Sequence, residues 1–279
     1  MNRREVLAGL AGAGVCGPAL AKAPTLDLAG RYRQGGFAIG RTAPDADILL
    51  DGERLSKASG GGWFFVGFDR DAAAAATVRV ETPAGAAQSV LTIAPGDFDI
   101  QRISGLPDDQ VSPTNPALLE RIQREAALKS AALQSRLPAD HFRDGFAMPL
   151  TRWRLSARFG GQRILNGVPK RPHYGCDLAA PTGTPIMAPA AGQVVLAEPA
   201  MHFEGGLTMI DHGQGLISFY LHQSRIAVTA GQTVRRGEVI GAVGATGRAT
   251  GPHLCWRLKW RDRNLDPLLL ASFRAVPAT

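Results

Sequence analysis

Two short stretches carry the most information about this chain: Arg171-Pro-His-Tyr-Gly-Cys-Asp177 and Gly251-Pro-His-Leu-Cys-Trp256. In the first, a His and an Asp stand four residues apart, so both side chains can reach one cation. In the second, His253 and Cys255 stand two residues apart on a predicted strand, which places them on one face. Imidazole, carboxylate and thiolate all bind zinc, and three protein ligands with one open position are typical of a catalytic zinc site.

The sequence between these stretches is a long series of short β segments separated by glycines. It contains several further motifs, in this order: Phe159-Gly160, Pro181-Thr-Gly-Thr-Pro185, Ala188-Pro-Ala-Ala-Gly192, Tyr220-Leu-His222, Gly231 to Gly241 and Thr246-Gly247-Arg-Ala-Thr-Gly251. Together, from about Phe146 to about Pro267, they make the chain resemble the lysostaphin-type (LytM-like) zinc endopeptidases. The resemblance covers under half of the chain and does not explain the N-terminal part.

The resemblance implies a fold and an activity. The fold is an antiparallel β core, the duplicated hybrid motif, and the activity is zinc-dependent hydrolysis of the peptide cross-bridges of bacterial peptidoglycan. It also implies that His173 and Asp177 bind zinc. His253 would serve as general base, and His222 would orient the water or stabilise the oxyanion.

One position departs from the family pattern. The last family motif ends in His-x-His, and its second His binds the metal, whereas this chain has Cys255 there. Thiolate binds zinc at about 2.3 Å, against about 2.0–2.1 Å for imidazole nitrogen. It also donates more charge, so bound water should be less acidic. Two interpretations follow: an endopeptidase with Cys255 as its third ligand, or a degenerate LytM-like protein that regulates cell-wall amidases or binds the wall without catalysis.

Composition favours a mainly β protein of more than one domain. The 279 residues include 33 Gly and 19 Pro, which indicates many turns and short strands. The formal net charge is +7, but the basic residues are scattered and no stripe of them is interleaved with aromatic side chains. Nucleic acid is therefore not an expected partner. The expected partners are peptidoglycan peptides and, in the alternative interpretation, a cell-wall amidase.

Residues 1–23 are predicted to be an export signal. Arg3-Arg4 precedes a weakly apolar Ala/Gly run, as in twin-arginine signals, and Ala19-Leu-Ala21 has the small-x-small form of a cleavage site. No other apolar run is long enough to span a bilayer. We therefore expect cleavage near Ala21, a periplasmic or cell-envelope location, and no stable membrane insertion after cleavage.

The remainder divides into four predicted segments. Residues 24–98 form a small β-sandwich-like domain, with an immunoglobulin-like arrangement as one candidate. Residues 99–145 are a linker with a helix at about 115–136, capped by Asn115 with Pro116 at its first position. Residues 146–270 are the metallopeptidase domain, and residues 271–279 are a tail.

Alternation along one predicted strand assigns side chains to faces. Ser218, Tyr220 and His222 should share one face, and Ile217, Phe219 and Leu221 the other. The same rule turns Cys176 away from the face that Asp177 uses, which predicts a small buried core residue.

Overall fold

The computed structural model describes residues 23–273. The predicted export signal lies outside the described residues except for its last position, and so does most of the predicted tail. Within the described part the chain is mainly β, which confirms the predicted class. No helix between residues 23 and 273 is long and apolar enough to cross a membrane.

The N-terminal unit is built from seven strands. They are β1 (Asp27–Arg31), β2 (Phe37–Arg41), β3 (Asp47–Leu50), β4 (Glu53–Lys57), β5 (Trp63–Gly67), β6 (Ala75–Thr82) and β7 (Gly85–Thr92). They form two sheets, with strand orders β1-β2-β5 and β4-β3-β6-β7. Asp51 and Gly52 join β3 to β4 with φ angles of 51° and 86°. Two consecutive positive φ angles are typical of the tight hairpin turns that Asp-Gly favours.

Three elements follow in the predicted linker: strand β8 (Ile100–Ile103), helix α1 (Asp108–Val111) and helix α2 (Pro116–Ala132). Helix α2 begins as predicted, because the Asn115 side chain accepts a hydrogen bond from Leu118 N. Its predicted end at about 136 was wrong. The carboxylate of Asp211 accepts hydrogen bonds from Ser135 Oγ (2.6 Å) and Leu137 N (2.9 Å), which draws the chain out of the helix before Pro138.

The C-terminal part contains thirteen strands and one short helix. They are β9 (Arg154–Ala157), β10 (Gln162–Leu165), β11 (Val168–Pro169), β12 (Cys176–Ala179), β13 (Pro185–Met187), β14 (Gly192–Met201), β15 (Gly205–Asp211), β16 (Leu216–Gln223), β17 (Arg225–Ile226), β18 (Thr233–Val234), β19 (Val239–Ala242), β20 (His253–Trp260), β21 (Arg263–Leu265) and α3 (Pro267–Ala271). The main sheet has the order β18-β14-β15-β16-β20-β12-β9, with β21 paired to β20. Strands β13, β19 and β17 form a second sheet, and β8 from the linker pairs in parallel with β10.

The N-terminal sandwich and the main sheet share one hydrophobic core. The ring of Phe65 on β5 stacks on Phe37 at 5.6 Å between centroids and also meets Phe142 at 5.4 Å and Trp260 at 6.1 Å. The side chain of Gln214 adds polar contacts, because its amide donates to Trp63 O and accepts from Phe65 N. The N-terminal sandwich is therefore packed directly against the sheet that carries the metal motifs.

Candidate metal centre

Strands β12 and β20 bring the two metal motifs together. They pair antiparallel, with Asp177 directly opposite Cys255, so the carboxylate and the thiol project from the same face of the sheet. His173 lies in the loop before β12. Its backbone is fixed by hydrogen bonds to Gly161 O (2.8 Å) and from Gly160 N (2.7 Å). The loop thus brings the imidazole back over the strand pair.

The side chains of His173, Asp177 and Cys255 converge on one point. His173 Nε2 lies 3.1 Å from Asp177 Oδ1 and 3.3 Å from Cys255 Sγ. One potential ligand atom from each residue lies within 4.8 Å of the other two, and all three residues are buried. Asp177 Oδ1 has no well-directed hydrogen-bond donor although it is buried. Such crowded lone pairs, with a buried acceptor left unsatisfied, fit a cation held between them.

Each of the two acidic groups in this cluster has its own arginine. The Arg163 guanidinium lies 3.1 Å from Asp177 Oδ2, and Arg257 Nε donates to Cys255 Sγ at 3.4 Å. Burial alone would raise the pKa of Asp177, but His173 and Arg163 outweigh it and hold the pKa below its usual value. Burial likewise disfavours the charge on Arg257, yet the neighbouring Cys255 raises the pKa of this guanidinium.

His222 and His253 lie side by side next to the cluster, with ring centroids 4.7 Å apart. His253 Nδ1 contacts Gly251 O at 2.8 Å, and His222 Nδ1 contacts Thr246 O at 2.8 Å. A carbonyl oxygen can only accept, so each ring carries its proton on Nδ1 and presents Nε2 as an acceptor. His253 Nε2 lies 3.7 Å from Asp177 Oδ1. Burial lowers the pKa of both rings, that of His222 to about 4.

The position of His222 does not follow from strand alternation. Alternation groups it with Ser218 and Tyr220, whereas Leu221 pairs with Cys255 and shares the face of the metal cluster. His222 reaches that cluster because its φ is +65°, a left-handed conformation that breaks the alternation at the end of β16. The rest of the alternation holds, since Ser218 Oγ and Tyr220 OH are 2.8 Å apart on the opposite face.

A narrow cavity of about 50 Å³ lies beside the two imidazoles, and Ile103 and Leu106 from the linker close it. Ile103 and Leu106 thus form a cover over the cavity, and the Asn166 side chain holds this cover in place through Leu106. It donates to Leu106 O at 2.7 Å and accepts from Leu106 N at 3.2 Å. Arg248 adds a hydrogen bond to Gln110 O at 3.0 Å.

All five residues predicted from the sequence lie in this cluster or beside it, whereas Arg163 and Arg257 were not predicted from it. A signal for Arg257 was present, because it stands two residues after Cys255 on the same strand and must share its face. No comparable signal existed for Arg163, which reaches Asp177 from β10. Cys176 is buried and unpaired in the hydrophobic core, as the alternation predicted.

The part of the chain that carries this site is similar to proteins of a known peptidase family. The model of peptidase family M23 matches residues 171–267. The peptidoglycan DD-endopeptidase ShyA of Vibrio cholerae is 42% identical over 120 residues, which are 42% of this chain and 27% of that protein. The DD-carboxypeptidase/endopeptidase Mpg of Neisseria meningitidis is 39% identical over 123 residues, 44% of this chain and 28% of that protein. The chain thus spans little more than a quarter of the length of these two curated relatives.

One solved structure matches nearly the whole chain. It is the crystal structure of a Pseudomonas aeruginosa protein assigned to the M23 peptidases, which is 32% identical with a TM-score of 0.66. The match covers 88% of this chain and 96% of that one, so it includes the N-terminal sandwich as well as the metal motifs. The resemblance drawn from the sequence motifs is confirmed, and the chain belongs to peptidase family M23.

Proposed function

We propose that this protein is a zinc endopeptidase that hydrolyses peptide cross-links of peptidoglycan, with His173, Asp177 and Cys255 as the metal ligands. The convergence of their three ligand atoms within 4.8 Å carries the proposal. The names of the relatives, a peptidoglycan DD-endopeptidase and a DD-carboxypeptidase/endopeptidase, support the substrate class. The proposal includes export to the cell envelope, where such a substrate lies, and the paired Arg3-Arg4 supports it.

The donor set suits zinc, because one imidazole, one carboxylate and one thiolate are all ligands of this borderline-soft ion. When bound, zinc supplies a Lewis acid that polarises the scissile carbonyl and acidifies water. His253 accepts the proton of the attacking water at Nε2, because Gly251 O keeps its Nδ1 protonated. The imidazolium then donates that proton to the leaving amine.

His222 contributes by orienting water. Its Nδ1 proton is committed to Thr246 O, and its pKa of about 4 keeps the ring neutral near pH 7. A neutral ring with this tautomer offers only an acceptor at Nε2. Of the two roles expected from the sequence, orienting the water fits this geometry better than donating to an oxyanion.

Zinc content and wall cleavage test the proposal together. We expect about one zinc per purified chain by elemental analysis, and Cys255→Ala should lose most of it. Cys176→Ala is the matched control, because this second buried cysteine lies in the core and should leave zinc unchanged.

His253→Ala should keep zinc but release peptide fragments from purified wall material about 10²–10⁴-fold more slowly. His141→Ala, a histidine outside the site, serves as its control.

Two outcomes would overturn the assignment. Full zinc in Cys255→Ala would remove Cys255 from the ligand set. A folded wild-type protein that holds zinc but releases no fragment from purified wall material would favour the alternative function. That alternative is a regulator of cell-wall amidases, and stimulation of a purified amidase would then be the measurement to make.

A further inference from the structure

A second, larger cavity adjoins the metal cluster. It has a volume of about 620 Å³ and includes His173 in its wall. The cavity extends along β20, between α2 on one side and the loop before His173 on the other. Its lining is strongly basic, with Lys129, Arg163, Lys170, Arg171, Arg248, Arg257 and Lys259. Glu204 is the one acidic side chain among its lining residues.

Most of these cations already have partners. Arg163 forms a salt bridge with Asp177, and Arg257 donates a hydrogen bond to Cys255. Lys129 forms a salt bridge with Glu204. Arg248 and Lys170 donate to neutral oxygens on the linker. Arg171 and Lys259 have no side-chain hydrogen bond or ion pair among residues 23–273. The cavity therefore holds more positive charge than its own acids neutralise.

Such an excess is unfavourable for the free protein, because like charges around a low-dielectric cavity repel one another. An anionic ligand would relieve it. Arginine and lysine heads bind carboxylates through charge-assisted hydrogen bonds. The wall also contains Leu133, Leu165, Phe219 and Leu221. A mixed wall of this kind suits a peptide, which has both hydrocarbon and carboxylate, better than a bare inorganic anion.

We propose that this cavity is a subsite for a free carboxylate of the peptide substrate, read by Arg171 and Lys259. This inference rests on the proposed peptidase function and deepens it. Lys259 stands four residues after Cys255 on β20, which at about 3.3 Å per residue is about 13 Å along the strand. Arg171 stands two residues before His173. A carboxylate within about four residues of the scissile bond therefore falls in the range of these two cations.

The subsite makes charge a specificity determinant. A substrate with a free carboxylate at this place gains one or two charge-assisted hydrogen bonds that its amidated counterpart lacks. Steered association of an anion into a basic cavity also weakens as the salt concentration rises. Wall peptides that differ only by amidation of one carboxyl group should thus be cleaved at different rates.

Two peptides test the subsite. They share a D-Ala-containing scissile sequence and differ only in a C-terminal carboxylate or carboxamide. We expect the zinc-loaded protein to cleave the carboxylate form with a kcat/KM about tenfold higher or more, mainly through KM. Arg171→Gln with Lys259→Gln should abolish most of this preference, by raising the KM for the carboxylate peptide toward that for the carboxamide peptide. Arg236→Gln, an exposed arginine in a distant turn, is the control and should keep the preference.

A binding measurement on the metal-free protein separates the subsite from catalysis. Calorimetric titration with the carboxylate product peptide should show binding that the double variant loses and that added salt weakens. Equal cleavage of both peptides by the wild type would overturn the subsite while leaving the peptidase function standing. Equal affinity for inorganic phosphate and for the carboxylate peptide would also overturn it, in favour of a general anion site. Cleavage of neither peptide, with the wall also untouched, would instead count against the proposed function.

Discussion

At the scale of single residues, the most consequential feature is the pairing of Cys255 with Arg257. A thiolate in place of an imidazole adds one negative charge to the ligand set, and Arg257 adds one positive charge 3.4 Å away. With Cys255 as a zinc ligand, this hydrogen bond would withdraw charge from the sulfur and leave the metal more of its Lewis acidity. Arg163 stands in the same relation to Asp177. The lower acidity of bound water that is expected from Cys255 alone would therefore be partly offset.

This pairing predicts strong non-additivity in a double-mutant cycle. Arg257→Gln alone should lower zinc affinity and activity, because the thiolate loses its partner. Cys255→His alone should gain little, because an unpaired buried guanidinium then faces a neutral ligand. The two changes together should recover most of the loss, with a coupling energy of about 1–3 kcal/mol. The cycle is measured by zinc affinity and by the sulfur-to-metal charge-transfer band of the cobalt-substituted protein.

Additive effects in that cycle would show that Arg257 does not act through the sulfur. Arg163→Gln in the Cys255→His background is the comparison: Arg163 bonds to Asp177 and acts on Cys255 only through space, so its effect should depend on the residue at 255 less than that of Arg257.

At the scale of elements, the segment from β8 to α1 lies over the imidazoles of His222 and His253. A cavity of about 50 Å³ is too small for a peptide, so under the proposed function this segment would have to move before a substrate could reach His222 and His253. Its attachment is mostly polar: Asn166 to Leu106, Arg248 to Gln110, and the short parallel pairing of β8 with β10. Segments held by few buried apolar contacts open at a low free-energy cost.

Asn166→Gly should loosen this cover. Asn166 has φ +47°, which glycine also adopts readily, so the backbone turn is kept while both side-chain bonds to Leu106 are lost. We expect faster amide hydrogen exchange at Leu106 and faster cleavage of wall peptides, by about 5- to 150-fold if each of the two lost bonds contributes roughly 0.5–1.5 kcal/mol. Asn166→Asp keeps only the acceptor and should fall between the two. Unchanged exchange at Leu106 would show that other contacts hold the segment.

At the scale of the whole molecule, a row of buried, hydrogen-bonded polar side chains lies on the face of the main sheet opposite the metal cluster. His212 is fully buried, with Nδ1 2.7 Å from Ala191 O and Nε2 2.7 Å from Ser218 Oγ, which in turn contacts Tyr220 OH. The carbonyl fixes the proton on Nδ1, so Nε2 accepts from Ser218. Burial lowers the pKa of His212 to about 4, although the bond to Ala191 and the nearby Asp211 act in the opposite direction.

This lowered pKa makes the stability of the fold depend on pH. Between about pH 6.5 and about pH 4 the unfolded chain protonates His212 while the folded chain does not. The contribution is therefore complete above pH 6.5 and is lost as the pH falls toward 4, by roughly 3 kcal/mol in all. Urea unfolding at pH 7, 5.5 and 4.5 measures this loss, and His212→Gln should make the slope shallower. An unchanged slope in that variant would contradict the assignment.

Asp266 provides a control, because its contribution to stability changes with pH in the opposite direction to that of His212. Its side chain caps α3 by accepting from Leu268 N at 2.9 Å, and burial raises its pKa to about 6. Its contribution is present below the unfolded pKa of about 3.8 and is lost as the pH rises through 6. Asp266→Asn keeps an acceptor for the cap and removes the charge. It should raise the free energy of unfolding at pH 7 and steepen the loss of stability between pH 7 and pH 4.5.

The family, the mainly β class, the Asp-Gly hairpin after β3 and the start of α2 could be predicted from the amino-acid sequence, as could the residues that gather at the candidate metal centre. These follow from local chemistry: ligand types at fixed spacing, turn residues, helix caps and strand alternation act over a few residues and can be read from neighbours along the chain. The face shared by Cys255 and Asp177 also follows once their strands are known to pair.

Features that depend on residues far apart in sequence could not be predicted in this way and became visible only in the folded chain. The left-handed φ of His222 brings its ring to the metal face against the alternation of its strand. Asp211 ends α2 from across the fold, and Arg163 reaches Asp177 from another strand. The closing of the site by Leu106 likewise joins segments that are sixty residues apart at Asn166. No local pattern encodes such contacts, because each depends on the packing of whole elements, which fixes the geometry and the charge around the metal site.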